Sequence, residues 1–351
     1  MRERSIATLA LILAALSASA TPVAAQEIRA RTGSSVVLGG RVQVQYEAPS
    51  VEGQAGTFFV RRAWVTMDGT VSDRVGGRVQ FDAQGSAVLE AYLELKPSDA
   101  FQVQIGQFKR GMSYFWLVAN SDLPVIERNA RVTGVDHCPG VGGVCTFGQF
   151  TGSLGLDNYE PGVLMTGRLA GRRLGYRVTV TNGEGLGRKD VNTSKSVSGR
   201  VSAYLAGNTR VSGYMALDET LNSAGETMNV PALGAEFEFG TWRQGPHLIA
   251  NALRGRNWKL NDTASFSTYQ VMAFWYRELA PETGLAGIEP LLRVSWADSG
   301  AEGPDRVTGT VVTPGFMVYA AGRNGISVNL DIYRSGDRRD WSLKFQAFTF
   351  F

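Results

Sequence analysis

The segment AVLEAYLELKPSDAFQVQIGQFK, residues 87–109, alternates apolar and polar side chains almost one by one. Leu89, Ala91, Leu93 and Leu95 share one parity, and Glu90, Tyr92, Glu94 and Lys96 the other. After Lys-Pro-Ser-Asp the alternation resumes, with Phe101, Val103 and Ile105 against Gln102 and Gln104. Successive side chains of an extended strand point to opposite faces, so this pattern predicts two amphipathic strands joined by a tight turn. Which face is the inside is then the question that decides the fold.

The pattern recurs through the chain. Besides that pair, strands are expected near 36–46, 58–67, 74–82, 163–169, 174–181, 196–205, 211–217, 233–239, 288–296, 308–319, 326–333 and 341–351. Two more, near 247–253 and 266–276, are ambiguous in facing, and the total is sixteen. Helical periodicity is scarce and glycine is abundant (42 residues), so the chain reads as one all-β domain with no linker. The connectors sort by parity. DGTVSD, KPSDA, AGRR, AGNT and AGRNG are tight, whereas NGEGLGRKDVNTSK and DETLNSAGETMN are long and polar. Short turns at one end and long loops at the other characterise a transmembrane barrel. No segment after the first has the roughly 18 apolar residues of a membrane helix. In lipid the backbone bonds must close on themselves, which predicts a transmembrane antiparallel β-barrel of sixteen strands, apolar outside and lined by its polar face. A polar interior in so wide a barrel implies a water-filled pore.

The ends agree. Arg2 and Arg4 precede an apolar run from Ile6 to Ala20, and small residues lead to Ala25, the pattern of a secretory signal (1–25) cleaved before Gln26. An uncleaved anchor is the alternative. Losing Arg2, Arg4 and Glu3 lowers the net charge from +3 to +2, and this near-neutrality argues against a nucleic-acid partner for the barrel domain, 26–351. At the other end Trp341, Leu343 and Phe345 share a parity and the chain stops on Phe351. A terminal aromatic on an amphipathic strand resembles the signal that bacterial outer-membrane proteins present to the barrel-assembly machinery. Cys138 and Cys145 are the only cysteines, and in an exported chain they are expected to pair. His137 beside them lacks a fourth ligand, so neither a metal nor another cofactor is expected.

Several segments are similar to the phosphate-selective porin O/P family: FFVRRAWVTMDGTV (58–71), LEAYLELKPSDAFQVQIGQFKRGMS (89–113), SDLPVIERN (121–129), VTVTNGEG (178–185) and GIEPLLRVSW (287–296). The resemblance implies a sixteen-stranded, usually trimeric outer-membrane porin in contact with lipid. It also implies passive uptake of small solutes and an inward-folded third loop, here the weakly periodic stretch 108–161. In phosphate-specific members a lysine cluster binds the anion near the constriction. This chain has six lysines against 29 arginines, and only Lys109 falls in that stretch, so no such cluster is recognisable.

By parity Arg41, Arg62 and Arg78 point inward on the first three strands, joined by Lys344 on the last. Arg168, Arg177 and Arg200 make a second basic group, and Lys109 and Arg110 lead into the third loop. Glu90, Glu94, Glu236, Glu238 and Glu289 oppose them, giving a nearly balanced lumen with a mild anion preference from the arginines, whose forked donors suit oxyanions. The alternatives are an outer-membrane hydrolase or a non-conducting structural barrel. Only His137 and His247 could serve a triad, no Gly-x-Ser-x-Gly elbow occurs, and the glycine-rich run 183–187 lacks a P-loop ending.

Overall fold

The computed structural model describes residues 26–29, 34–119, 122–191, 193–221 and 225–351. The leader, 1–25, lies outside the described residues. A short strand, β1 (Gln26–Arg29), pairs only with the start of β2, and it was not evident from so few residues. The barrel wall begins with β2 (Ser35–Pro49), β3 (Thr57–Ser72), β4 (Val75–Asp82), β5 (Ala87–Ser98) and β6 (Phe101–Lys109). It continues with β7 (Tyr159–Leu169), β8 (Leu174–Thr181), β9 (Ser196–Leu205), β10 (Thr209–Leu221), β11 (Thr227–Thr241) and β12 (Gln244–Arg256). The last five are β13 (Ser265–Glu278), β14 (Gly287–Asp298), β15 (Thr308–Ala321), β16 (Asn324–Ser335) and β17 (Arg338–Phe350). Each pairs antiparallel with its neighbour in sequence, and β17 pairs with β2 from Ser342↔Pro49 to Phe350↔Arg41, so sixteen strands close a barrel.

Side-chain facing follows the alternation. Val65, Met67 and Leu93 are 41–49% exposed on the outer surface, while Gln43, Gln45 and Glu47 are no more than 2% exposed inside. An outer wall of valine, leucine and phenylalanine around a polar lining is stable only against acyl chains. One irregularity matters. The β2–β3 register shifts between Gln43 and Val44, so Gln43 faces Arg62 and Val44 faces Val60, leaving Arg61 as the extra residue of a bulge.

Among the described residues, 110–119 and 122–158 form the third loop, which packs on the inner wall of the barrel. Two short helices shape it, α1 (Tyr114–Leu117) and α2 (Phe147–Ser153). Ser113 and Thr146 cap them by accepting from the amides of Trp116 and Gln149, both at 3.2 Å. Phe115, Phe147, Phe150 and Leu154 pack with Tyr214, Ile249, Phe266, Met272, Phe274 and Leu291 of β10 and β12–β14 in one buried cluster. Burying each large apolar side chain contributes about 1.5–3 kcal/mol. A uniformly polar lumen is therefore corrected. The inner face of β10–β16 carries apolar residues because the loop docks there, and water has the other side.

Candidate channel constriction

Lys109 ends β6, Tyr159 begins β7, and the two are register partners, so the third loop leaves and rejoins the wall at one point. This brings α1 beside that point. Trp116 packs on Tyr159 at 5.5 Å between ring centroids, and Trp64 and Leu89 complete an apolar cluster. Leu186 joins from the loop after β8, where Gly183 and Gly185 donate their amides to the Glu160 carboxylate at 3.1 and 2.9 Å. Both glycines have positive φ, which lets successive amides converge on an anion. The glycine-rich run thus cradles the chain's own carboxylate.

Two cavities touch this cluster, and a third adjoins the second. One of about 330 Å³ at the long-loop end is bordered by Arg61, Arg62, Trp64, Trp116, Arg128 and Asp157. At the short-turn end, one of about 380 Å³ is bordered by Arg41, Arg78, Glu90, Lys109 and Phe351. Beside it, one of about 510 Å³ is bordered by Glu90, Lys109, Arg168, Arg177, Arg200 and Arg210. Trp64 touches the first and second, Lys109 the second and third.

The basic residues differ in what holds them. Arg41 lies over Trp64 and Phe350, at 4.4 and 4.9 Å from the ring centroids, and its Nε and Nη1 have no hydrogen-bond partner. Arg62 donates to Gln43 Oε1 at 2.9 Å. Lys109 Nζ reaches the carbonyls of Trp116 at 3.2 Å and Val118 at 3.5 Å. Arg177 donates to Lys109 O at 2.7 Å, and Arg168 lies 3.7 Å over Tyr204. Arg78 is paired with Asp68 at 2.6 Å and Glu90 at 3.4 Å. Glu94 is paired with Lys96 at 2.6 Å.

Other expected pore residues are structural, which is a correction. Arg110 is buried against Asp218 of β10 and pins the neck of the third loop. Arg200 borders the cavity of about 510 Å³ but is held by Glu236 at 2.5 Å and by Met112 O at 3.0 Å. Lys344 is fully buried, bonded to Asp331 at 2.7 Å and to Arg131 O at 2.5 Å. Glu236 accepts from the Tyr114 amide at 2.9 Å, Glu238 from Arg210 and His247, and Glu289 from Tyr319 Oη at 2.6 Å. These acids lie behind or below the docked loop and do not form an opposing pore wall. Cys138 and Cys145 form a disulfide within the loop. Phe351 exchanges backbone hydrogen bonds with Gly40 at 2.7 and 3.2 Å, with its ring over that glycine, where a Cβ would collide at 2.2 Å.

Residues that parity could not find also reach the site. Arg61 turns inward through the bulge and grips Glu127 of the third loop at 2.6 and 3.2 Å. Burial opposes ionisation of Glu127, but Arg61 outweighs it and holds the carboxyl at about 2. Arg128 donates to the carbonyls of Phe115 and Val118, and burial lowers it to about 10, so it stays cationic. Asp157 is pushed up to about 6 by burial, against hydrogen bonds from Thr151 and Ser113. Among the described residues, no group of three metal-ligating side chains forms.

A closed barrel with a loop folded against its inner wall, and arginines around the remaining gap, is porin architecture. The sequence model of the family "phosphate-selective porin O and P" matches residues 36–272. The chain belongs to that family. The porin also superposes on solved structures, each too distant in sequence to show more than the fold. OmpT, an outer membrane protein of Vibrio cholerae, matches with TM-score 0.61 and 11% identity over 93% of this chain and 100% of that one. A trimer form of the same protein gives TM-score 0.54 at 11% identity over 90% and 99%. An anion-selective porin from Comamonas acidovorans gives 0.59 at 11% over 91% and 100%. No curated protein matches this porin in sequence. It is a channel of the bacterial outer membrane, with barrel, family and location in agreement.

Proposed function

We propose that this porin passes small hydrophilic solutes by diffusion and prefers anions, oxyanions included. One observation carries the reading: five cations on the water side lack carboxylate partners, while Glu236 and Glu238 are drawn under the loop. Arg41, Arg62, Lys109, Arg168 and Arg177 have no ion pair among the described residues, whereas Glu236 and Glu238 are taken up by Arg200 and Arg210. Unpaired cations beside a narrow aqueous path raise the local anion concentration. Phosphate specificity is not part of the proposal, since Lys109 stands without other lysines. Planar-bilayer recording in a potassium chloride gradient tests it. The wild type should reverse on the anion side, and Arg41→Ala with Arg62→Ala should move the reversal potential toward cations. An unmoved potential refutes the assignment.

Three further features belong to the same proposal. Cleavage after Ala25 releases the barrel, Phe351 presents the last strand for assembly, and the porin forms a homotrimer, as OmpT does in its trimer form. Edman sequencing of the mature chain, folding yield of Phe351→Ser, and mass measurement in detergent address them in turn.

A further inference from the structure

Two tryptophans stand at the junction between the long-loop cavity and the short-turn cavities, and each is bracketed by cations. The Trp64 ring has Arg41 at 4.4 Å and Arg62 at 5.8 Å from its centroid. The Trp116 ring has Lys109 at 5.2 Å and Arg128 at 5.4 Å. In both cases one cation borders the long-loop cavity, Arg62 or Arg128, and the other borders the cavity beyond, Arg41 or Lys109. The indole Nε1 of each tryptophan is buried without a hydrogen-bond acceptor. Leu89, Tyr159 and Leu186 extend the apolar surface around them.

We propose that this double indole–cation step is a binding site for organic anions with an apolar or aromatic body, such as aryl carboxylates, and that the channel selects them over inorganic phosphate. The inference rests on the anion-channel reading and names its substrate class. A carboxylate can move from the Arg62 and Arg128 side to the Arg41 side, meeting a guanidinium before and after the step. Its apolar body meanwhile exchanges water for the half-buried Trp116 indole, with Trp64 and Leu89 behind it. Phosphate gains nothing from those faces and must shed tightly held water to pass. Acetate has the charge without the body, so it separates the two contributions. The nearby acids have partners of their own: Glu127 is paired with Arg61, and Asp157 accepts from Ser113 at 3.1 Å. The cavity of about 330 Å³ falls within the size range of small-molecule sites, about 300–1,000 Å³.

The test is single-channel current of the full-length mature porin in potassium chloride, titrated with phenylacetate, acetate or phosphate. Phenylacetate should half-block the current at a concentration about tenfold below either of the others, the gain expected from partly burying a phenyl ring. Trp116→Leu keeps apolar volume but removes the aromatic face. It should erase at least about half of that advantage on a logarithmic scale, and Trp116→Phe should restore most of it. Equal block by phenylacetate and acetate overturns the proposal, as does block by phosphate at the lowest concentration. The reversal potential recorded before any probe is added keeps the two readings apart. An anion-selective trace without phenylacetate block sinks only this inference, while a cation-selective or silent bilayer sinks both.

Discussion

Arg61 and Arg62 are neighbours in the chain, yet both border the same cavity because a bulge interrupts the alternation between them. Their roles differ by partner. Arg61 is ion-paired with Glu127, and Arg62 has no ion pair among the described residues and donates to Gln43. Glu127→Gln should free Arg61, shifting the reversal potential further toward anions. It should also loosen the third loop by about 1–2 kcal/mol, a modest figure because the Arg61 side chain is 36% exposed. Bilayer selectivity together with heat-modifiability in detergent reads both effects. Asp157 adds a pH dependence. Its carboxyl is raised to about 6, so between pH 7 and 5 the cavity loses a negative charge while Arg61, Arg62 and Arg128 stay cationic. Anion preference should therefore rise on acidification, on the order of twofold, and Asp157→Asn should show the acidic value at every pH. The same raised pKa means the folded state holds a proton that the unfolded chain releases, so stability falls as pH rises through the window from 3.8 to about 6.

At the scale of elements, the third loop behaves as a small folded unit inside the barrel. Its disulfide closes the turn around Val141, and Cys145 lies against β15 where Gly309 leaves room; a Cβ there would meet Cys145 Cβ at 2.8 Å. His137 Nδ1 sits 3.0 Å from the Tyr333 hydroxyl on β16. These contacts hold the loop to the wall at β15 and β16. Cys138→Ser with Cys145→Ser should remove about 2.5 kcal/mol of loop stability at most. The expected trace has noisier open-channel current with an unchanged reversal potential. A large selectivity change would mean the disulfide region shapes the constriction directly. The strands themselves were legible from period two alone, and β8 and β9 fall at the expected residues. The loop was not, because its order comes from contacts with β10–β16 that no local pattern encodes.

For the whole molecule, the inner wall is divided between an apolar dock and an aqueous path. Replacing residues 110–158 by a short linker would expose Phe266, Met272 and Phe274 to water inside the barrel. The folded, heat-modifiable yield should drop sharply, whereas a porin whose loop only narrows a polar lumen would fold and conduct more. Sequence by itself determined the barrel, its strands and which side meets lipid, because the alternation is local and the membrane imposes one solution on it. It also singled out Arg41, Arg62 and Lys109, which border the cavities beside the docked loop. Only the tertiary structure decided which charges remain free, because pairing depends on where a long loop comes to rest. That docking took Arg110, Arg200, Lys344 and the acids of β11 and β14 for structure, and left two tryptophans between cations at the gap.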